Sequence, residues 1–521
     1  MALLGKVIKR TIELRGKMPA KKSHPIQHQT KVLKSLIKKA QFTAFGQHYK
    51  FSNLLKEDDL VRVFAENVPI HDYNSMFRNW WYRALNGEPY VSWPGAINYF
   101  ALSSGTSEAA SKHIPVTKEM LKAIRKGSIR QILSMAHLNL PEEHFQKGIL
   151  LIGGSTHLNY NGTYHEGDVS GITAGSIPFW FQFFYKPGPR ISRYTDWSTK
   201  LEEITSNAKN WDIGIICGVP AWVQILIEKV IKKYNVKHIH EIWPNLRIFV
   251  SGGVAVSPYI NAFEKLTKFP LIFCDTYLAS EGFIAYQITP IAGGPLKMLT
   301  DNGIYFEFIP FTEENFDTNG DLRSGAKALP IDQTSEGTEY AIMLTTCSGA
   351  WRYLIGDVIK FTSVENAEIV ITGRTKHFLS LCGEHLSVDN MTRAFHLAAE
   401  EMNLDIQEFC VCGVRYESLF AHQWYIGSDV QFDEKTMKEK IDSHLKILND
   451  DYRVERTSAL REVLVTQIPT KLFVEFLHHK GKVTAQTKFP RVLNGKTLSE
   501  WKSFIEGHGF SAEHLESVNI K

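Results

Sequence analysis

Three short apolar runs that close on glycine constrain the fold of this chain more than any other feature. Gly148–Gly153 reads Gly-Ile-Leu-Leu-Ile-Gly, Ile213–Cys217 closes on Gly218, and Arg247–Val250 runs into Ser251-Gly-Gly253. A continuous apolar run of this length, bounded by turn residues, reads as a buried strand. From Pro220 the spacing of Trp222, Val223, Leu226, Ile227, Val230 and Ile231 marks the apolar face of a helix, and a second helix is expected from Pro258 to Leu266. Pro270–Cys274 adds a further strand. Strands alternating with helices in this way argue for an α/β body with mainly parallel sheets and helices outside.

After about residue 300 shorter strands follow, at Ile304–Ile309, Glu339–Thr345, Val358–Phe361 and Ile369–Ile371, with the acidic Thr312–Asp321 as a solvated connection. Beyond Arg374 the pattern changes again. A helix carrying Met391, Phe395, Leu397 and Ala398 precedes strands at Phe409–Val414 and Gln423–Ile426. A helix over Glu434–Ile447 and strands at Val463–Gln467 and Phe473–Phe476 complete the order. That order suits a small α+β domain, so the expected division is 1–375 for the large domain and 376–521 for the small one.

Composition narrows the function classes. A net charge of +4, with no Lys/Arg run interleaved with aromatics, argues against nucleic acid as a partner. The six cysteines (Cys217, Cys274, Cys347, Cys382, Cys410 and Cys412) show neither C-x-x-C nor zinc spacing. Buried free thiols and a cytoplasmic location are expected. Leu3, Leu4, Val7, Ile8 and Ile12 fall at helical spacing and suggest an amphipathic helix docked on the body, with a membrane-surface helix as the alternative. No apolar run approaches the length of a membrane span.

Three motifs carry the chemistry. In Ala101–Pro115, the hydroxyls of Ser103, Ser104, Thr106, Ser107 and Ser111 surround Gly105, and Lys112 follows. Hydroxyls and free backbone N–H groups in a glycine-bent turn suit phosphate oxygens; a solvated loop is the bland alternative. No Walker loop occurs in the chain. Asp275-Thr-Tyr-Leu-Ala-Ser-Glu-Gly282 follows a strand, and Trp351-Arg-Tyr-Leu-Ile-Gly-Asp-Val358 places a carboxylate after glycine. Gly105-Thr-Ser107-Glu-Ala109 approaches a nucleophile elbow, but Ala109 replaces the second glycine and nothing in the sequence pairs Ser107 with a particular His and Asp, which argues against a hydrolase.

In this order the hydroxyl-rich loop, Y-x-x-S-E and G-D-V resemble the three signatures of the auxin-responsive (Gretchen Hagen family) acyl-acid amido synthetases. These belong to the adenylate-forming superfamily, with the acyl-CoA synthetases and luciferases. Phe45-Gly46, Val68-Pro69, Gly218-Val-Pro-Ala-Trp222, Ser251-Gly-Gly253, Gly373-Arg374 and Gln486-Thr-Lys-Phe-Pro-Arg491 extend the match along the chain. Glu108-Ala-Ala departs from the commoner Gly/Lys-rich form of the first signature.

The resemblance implies ATP-dependent activation of a carboxylic acid, with transfer to an amine, an amino acid, as the second step. A thioester-forming ligase and a nucleotide-binding protein without turnover are the alternatives. Activation requires two anions held together, Mg²⁺, and neutralisation of charge growing on phosphorus oxygens. The Ser103–Ser107 loop suits the phosphates, and Glu281 suits Mg²⁺. Asp357 can accept from both ribose hydroxyls, and Arg374 can reach ribose or phosphate. By resemblance, Tyr277 stacks on adenine, Gly253 and Ser280 belong to the nucleotide site, and Lys488 is the lysine of a C-terminal lid hinged at Lys376. Val219 and Trp222 lie where similar enzymes contact the acyl group. The aromatic stretch Pro178–Tyr185 reads as core, with a lining of the acyl cavity as the alternative.

Overall fold

In the computed structural model, which describes residues 24–104, 111–138, 140–177, 181–317, 320–376, 378–406, 408–479 and 489–510, the apolar runs become neighbouring strands. Two strands precede them, β1 (Tyr99–Ser104) and β2 (Ser111–Val116). With the short β4 (Asn159–Tyr160) and β5 (His165–Gly167) they form a sheet in the order β2-β1-β5-β4. The runs themselves give β3 (Gly148–Ile152), β7 (Ile213–Gly218), β8 (Ile248–Gly252) and β9 (Ile272–Ala279), side by side and parallel. The short β6 (Tyr185–Lys186) pairs outside β3. The helices Pro220–Tyr234 and Ile260–Leu266 make the crossovers from β7 to β8 and from β8 to β9, as parallel pairing requires.

The chain then reverses. Gly282 pairs with Ala279, so Ser280 and Glu281 alone turn β9 into β10 (Gly282–Tyr286). Two residues cannot carry a crossover, and β10 is antiparallel. The same sheet continues through β11 (Leu296–Met298), β15 (Glu368–Arg374), β14 (Tyr353–Ser363), β13 (Glu339–Thr346) and β12 (Ile304–Pro310). The α/β class holds, but "mainly parallel" describes only one half of the large sheet. It contains four parallel and six antiparallel pairings, because the later neighbours, β11 and β15 aside, are consecutive strands joined without a crossover helix. The largest apolar core packs the helix Pro25–Ala40 and its neighbours against this antiparallel half, with Phe306, Phe308, Ile342 and Leu344 fully buried.

The chain divides into two compact units, Met1–Ser103 with His113–Thr375, and Ser104–Lys112 with Lys376–Lys521. In the second, β16 (Phe378–Leu379) and β17 (Leu386–Ser387) pair as a small hairpin. β18 (Glu408–Tyr416) runs antiparallel and β20 (Leu460–Ile468) parallel to the central β19 (Leu419–Gly427). Phe473–Phe476, expected as a strand, lies in the helix Lys471–His479. Leu472, Phe473 and Phe476 are buried while Val474 is half exposed, a helical rather than alternating pattern. Phe473 and Phe476 both pack at 5.1 Å on Trp501.

All six cysteines are free thiols, five buried and Cys217 half-buried. Burial pushes the Cys274 and Cys347 thiols up to about 12, so they stay protonated at neutral pH. Among the described residues no helix is long and apolar enough to cross a membrane. The Leu3–Ile12 stripe lies outside the described residues.

Candidate functional site

The parallel strands end in register. Ile152 pairs with Gly218, Gly218 with Ser251, and Ser251 with Asp275. Just past this row lie Gly153, Val219, Gly252 and Gly253, and, on β9, Tyr277. Gly253 has φ +86°, and a Cβ on it would lie 3.4 Å from Val219 Cγ2, so the two turns are close and backbone is open at the edge. Ligands of open α/β sheets bind outside the carboxyl ends of the strands, at an edge of this kind.

Tyr277 points its hydroxyl at Asp357 on β14, donating to Oδ2. Asp357 pairs across the sheet with Arg374 on β15, whose Nε lies 3.0 Å from Oδ1. Arg374 Nη2 also donates to the Ile355 carbonyl at 3.1 Å. Burial, with the Asp357 carboxylate next in importance, holds the Tyr277 hydroxyl well above the usual phenol range. It is a permanent donor at neutral pH. An ionised carboxylate has about four acceptor positions. Tyr277 and Arg374 use one on each oxygen, and the capacity left matches two hydroxyls of a vicinal diol. Gly356 has φ +89°, and its carbonyl accepts from Thr375 N–H at 2.8 Å, which fixes the approach of the two strands beside the carboxylate.

Ser280 and Glu281 form the tip of the β9–β10 hairpin, both half-buried. The Glu281 charge reaches the Tyr277 and Tyr353 hydroxyls and helps to keep both protonated. One carboxylate on a tight turn, near a second carboxylate with acceptor capacity left and an arginine, is a donor set whose chemistry fits Mg²⁺ and a nucleotide together. Behind it, the Ser251 hydroxyl donates to Asp275 Oδ1, and burial raises the pKa of that carboxyl. Asp275 sits in the second motif with no role assigned from sequence. Its hydrogen bond joins β8 to β9 below Gly253 and Tyr277.

Other expected residues lie elsewhere. Ser103 and Ser104 end β1, and Ser103 is half-buried. Gly105, Thr106, Ser107 and Lys488 lie outside the described residues. Lys376 is exposed and is the first residue of the second unit's main segment. Val219 lies at the edge, but the Trp222 ring is buried and stacks on Trp197, centroids 4.4 Å apart and 12° from parallel. Of the aromatic stretch, 178–180 lie outside the described residues, Tyr185 is buried, and Phe183 is 80% exposed, so Phe183 is not core.

Three further motifs gather away from this edge. The Phe45 ring stacks on Trp351 at 5.4 Å, and a Cβ on Gly46 would lie 2.1 Å from the Ala40 carbonyl oxygen. Arg352 donates to the carbonyls of Ala65 and Val68 at 2.7 Å and pairs with Glu307. Phe45-Gly46, Val68-Pro69 and Trp351-Arg352 are therefore one structural knot. Sequence reasoning also missed Lys200, which is buried in the helix Trp197–Asn207 and hydrogen-bonds to Gly153 and Gly154. The available signal was a lysine four residues before Ile204, within an apolar stripe.

Known proteins share this fold. The structure of AtGH3.15 acyl acid amido synthetase in complex with 2,4-DB superposes with a TM-score of 0.56 at 18% identity, covering 95% of each chain. That of 2-hydroxyisobutyryl-CoA ligase with 2-HIB-AMP and CoA gives 0.56 at 12% identity, over 94% of this chain and 93% of that one. The fold is that of adenylate-forming enzymes. Models of the GH3 family match in order: its N-terminal domain over residues 15–219, its central domain over 297–374 and its C-terminal domain over 389–497. The chain belongs to the GH3 family. Indole-3-acetic acid-amido synthetase GH3.2 of Arabidopsis thaliana is 30% identical over 142 residues, 25% of this chain and 24% of that one. Indole-3-acetic acid-amido synthetase GH3.8 of Oryza sativa subsp. indica is 30% identical over 134 residues, covering 25% and 21%. These alignments span about a quarter of the curated relatives' length.

Proposed function

We propose that this chain is an ATP-dependent ligase that converts a carboxylic acid to its acyl-adenylate, releases pyrophosphate, and passes the acyl group to an amino acid to form an amide. The observation that carries the reading is the Tyr277–Asp357–Arg374 cluster, whose first two members lie 80 residues apart and meet beside the carboxyl ends of the parallel strands. Asp357 accepts the ribose hydroxyls, with Tyr277 and Arg374 fixing its orientation. Gly253 and Ser280 flank the base and sugar. The hydroxyls and N–H groups of Ser103, Ser104, Gly105, Thr106 and Ser107 take the phosphates. Glu281 would hold Mg²⁺, which supplies charge neutralisation on the phosphate oxygens.

Lys488 brings a cation to the α-phosphate and acyl carboxylate from a lid over 376–521 that turns at Lys376 against the adenylation domain over 1–375. Lys488→Ala should then slow adenylation about 10²–10³-fold, the loss of one preorganised donor. Val219, with Trp222 behind Trp197, borders the acid. Nucleic acid is not expected as a partner, nor is a membrane span, and protonated free thiols support a cytoplasmic setting.

The fold serves an amido synthetase and a coenzyme A ligase at the same TM-score, so it does not choose the acceptor. The sequence relatives, named amido synthetases, favour the amine. An acid-dependent pyrophosphate-exchange screen, followed by product analysis with amino acids and with coenzyme A, tests both halves. Amide and no thioester is expected. Thioester without amide overturns the acceptor, and exchange with no acid overturns the adenylation step.

A further inference from the structure

Lys200 lies in the buried stripe of the helix Trp197–Asn207 with Leu201, Ile204 and Thr205, and is 3% exposed. Burying an ammonium is costly unless its protons find acceptors. Lys200 Nζ donates to the carbonyl of Gly153 at 2.7 Å and of Gly154 at 3.1 Å, and stands 5.2 Å over the Trp197 ring. The charged group facing it is Asp168, which caps the helix Val169–Ala174. The same turn is held from its other side, where Gly154 N–H donates to Ser170 Oγ at 2.8 Å. Neither glycine admits a side chain. A Cβ on Gly153 would lie 2.8 Å from Ser170 Oγ, and one on Gly154 2.6 Å from Asp168 Cβ.

This turn directly follows β3, in the register row that runs through Gly218 and Ser251 to Asp275. It stands on the same strand edge as Val219 and Gly253. We propose that Lys200 is a positioning residue that clamps the Gly153–Gly154 turn as one wall of the acyl-acid site. The assignment of that wall to the acid rests on the ligase reading above. The clamp itself does not. Burial brings the Lys200 ammonium down to about 8, with Asp168 opposing. A turn that opens to water returns the lysine to its ordinary range. By linkage, the closed turn is therefore favoured further as pH rises above 8.

Two variants loosen the turn independently. Lys200→Met keeps the volume and removes the donors, and Ser170→Ala releases the opposite side. Each should raise KM for the acid about five- to tenfold, as for one lost hydrogen-bonded clamp, while KM for ATP stays within about twofold. Amide exchange of the 153–155 segment, corrected for intrinsic rate, should slow from pH 8 to 10 in the wild type, be faster in Lys200→Met, and lose its pH dependence there. Unchanged protection of the segment in Lys200→Met overturns the clamp. Faster exchange with an unchanged acid KM overturns the wall. Wild-type protein that exchanges pyrophosphate with no acid defeats the ligase reading instead, and amide exchange still decides the clamp.

Discussion

Two carboxylate–arginine pairs stand on the antiparallel half of the large sheet, and one eight-residue motif, Trp351–Val358, contributes to both. Arg352 turns inward to Glu307, with side chains 6% and 4% exposed; Asp357 meets Arg374, with 16% and 34%. The inner pair is closed on itself and sealed from solvent. Arg352 Nε lies 3.1 Å from both Glu307 oxygens and Nη2 3.0 Å from one, while Nη1 serves two backbone carbonyls. Burial still pushes the Glu307 carboxyl up, against the pull of its arginine. The outer pair keeps acceptor capacity and a route to solvent. Membership of a motif therefore does not separate scaffold from site. Exposure of the remaining acceptor capacity does, because a ligand can use only a lone pair that it can reach.

The contrast is broken most sharply from the inside. Arg352→Met leaves Glu307 and two carbonyls buried without their donor, and should cost about 3–5 kcal/mol of unfolding free energy, measured by denaturant titration. Arg352→Met with Glu307→Leu should recover most of that loss, since a well-packed apolar pair often replaces a buried ion pair without penalty. Nucleotide affinity of the folded fraction should not change. A single-variant cost under about 1 kcal/mol would show that the knot is not held by this pair.

His71 sharpens the same point through pH. It exchanges backbone hydrogen bonds with Arg352 and Leu354, and its Nδ1 lies 2.9 Å from the Trp351 carbonyl oxygen. Burial lowers its pKa from 6.5 to about 4. A folded-state value below the unfolded one means that the unfolded chain binds the extra proton between these limits. Stability should fall as pH drops from 6.5 to 4, by up to about 3 kcal/mol for a shift of this size. His71→Gln retains an amide donor for the Trp351 carbonyl and should remove that part of the slope. Parallel wild-type and variant stability curves over this window would exclude His71 as the cause.

The sequence makes β3, β7 and β8 legible because each is an apolar run punctuated by glycine, and Asp357 and Arg374 legible because they sit in short motifs at strands. It does not reveal the inner pair. Glu307 lies in an apolar strand 45 residues from Arg352, and the acceptors at Ala65 and Val68 are backbone atoms, which carry no residue signature. The antiparallel turn at Ser280-Glu281 was hidden for a related reason: the strands on both sides are equally apolar, and only the connection length sets direction. Phe473 and Phe476 misled because three-residue spacing within a short apolar run fits a helix or a strand until a partner such as Trp501 is known. Trp222 carried a motif, yet Trp197, which covers it, carried none.

On the outer pair, Asp357→Ala should weaken ATP binding by about 1.5–3 kcal/mol, the usual worth of charged hydrogen bonds, with a smaller effect on unfolding than Arg352→Met. Calorimetry reads the first and denaturant titration the second. Equal losses of stability in the two variants would erase the distinction between scaffold and site, and unchanged ATP affinity would move the sugar contact elsewhere.

Tyr277→Phe gives the smallest effect and the finest discrimination. It keeps the ring and removes only the hydroxyl that donates to Asp357. If the residue serves by stacking on adenine, ATP affinity should be unaffected, because the aromatic face is intact. If it serves by holding the carboxylate toward the sugar, the loss should be about 1 kcal/mol, roughly fivefold in Kd. A nucleotide without the diol separates these roles. The 2′,3′-dideoxy analogue of ATP should bind wild-type protein more weakly than ATP, and Tyr277→Phe should not weaken it further, because the oriented lone pairs then have nothing to receive. A loss of the same size for both nucleotides would place the hydroxyl's effect on the base or the fold rather than on the sugar, and Asp357 would then owe its orientation to Arg374 alone.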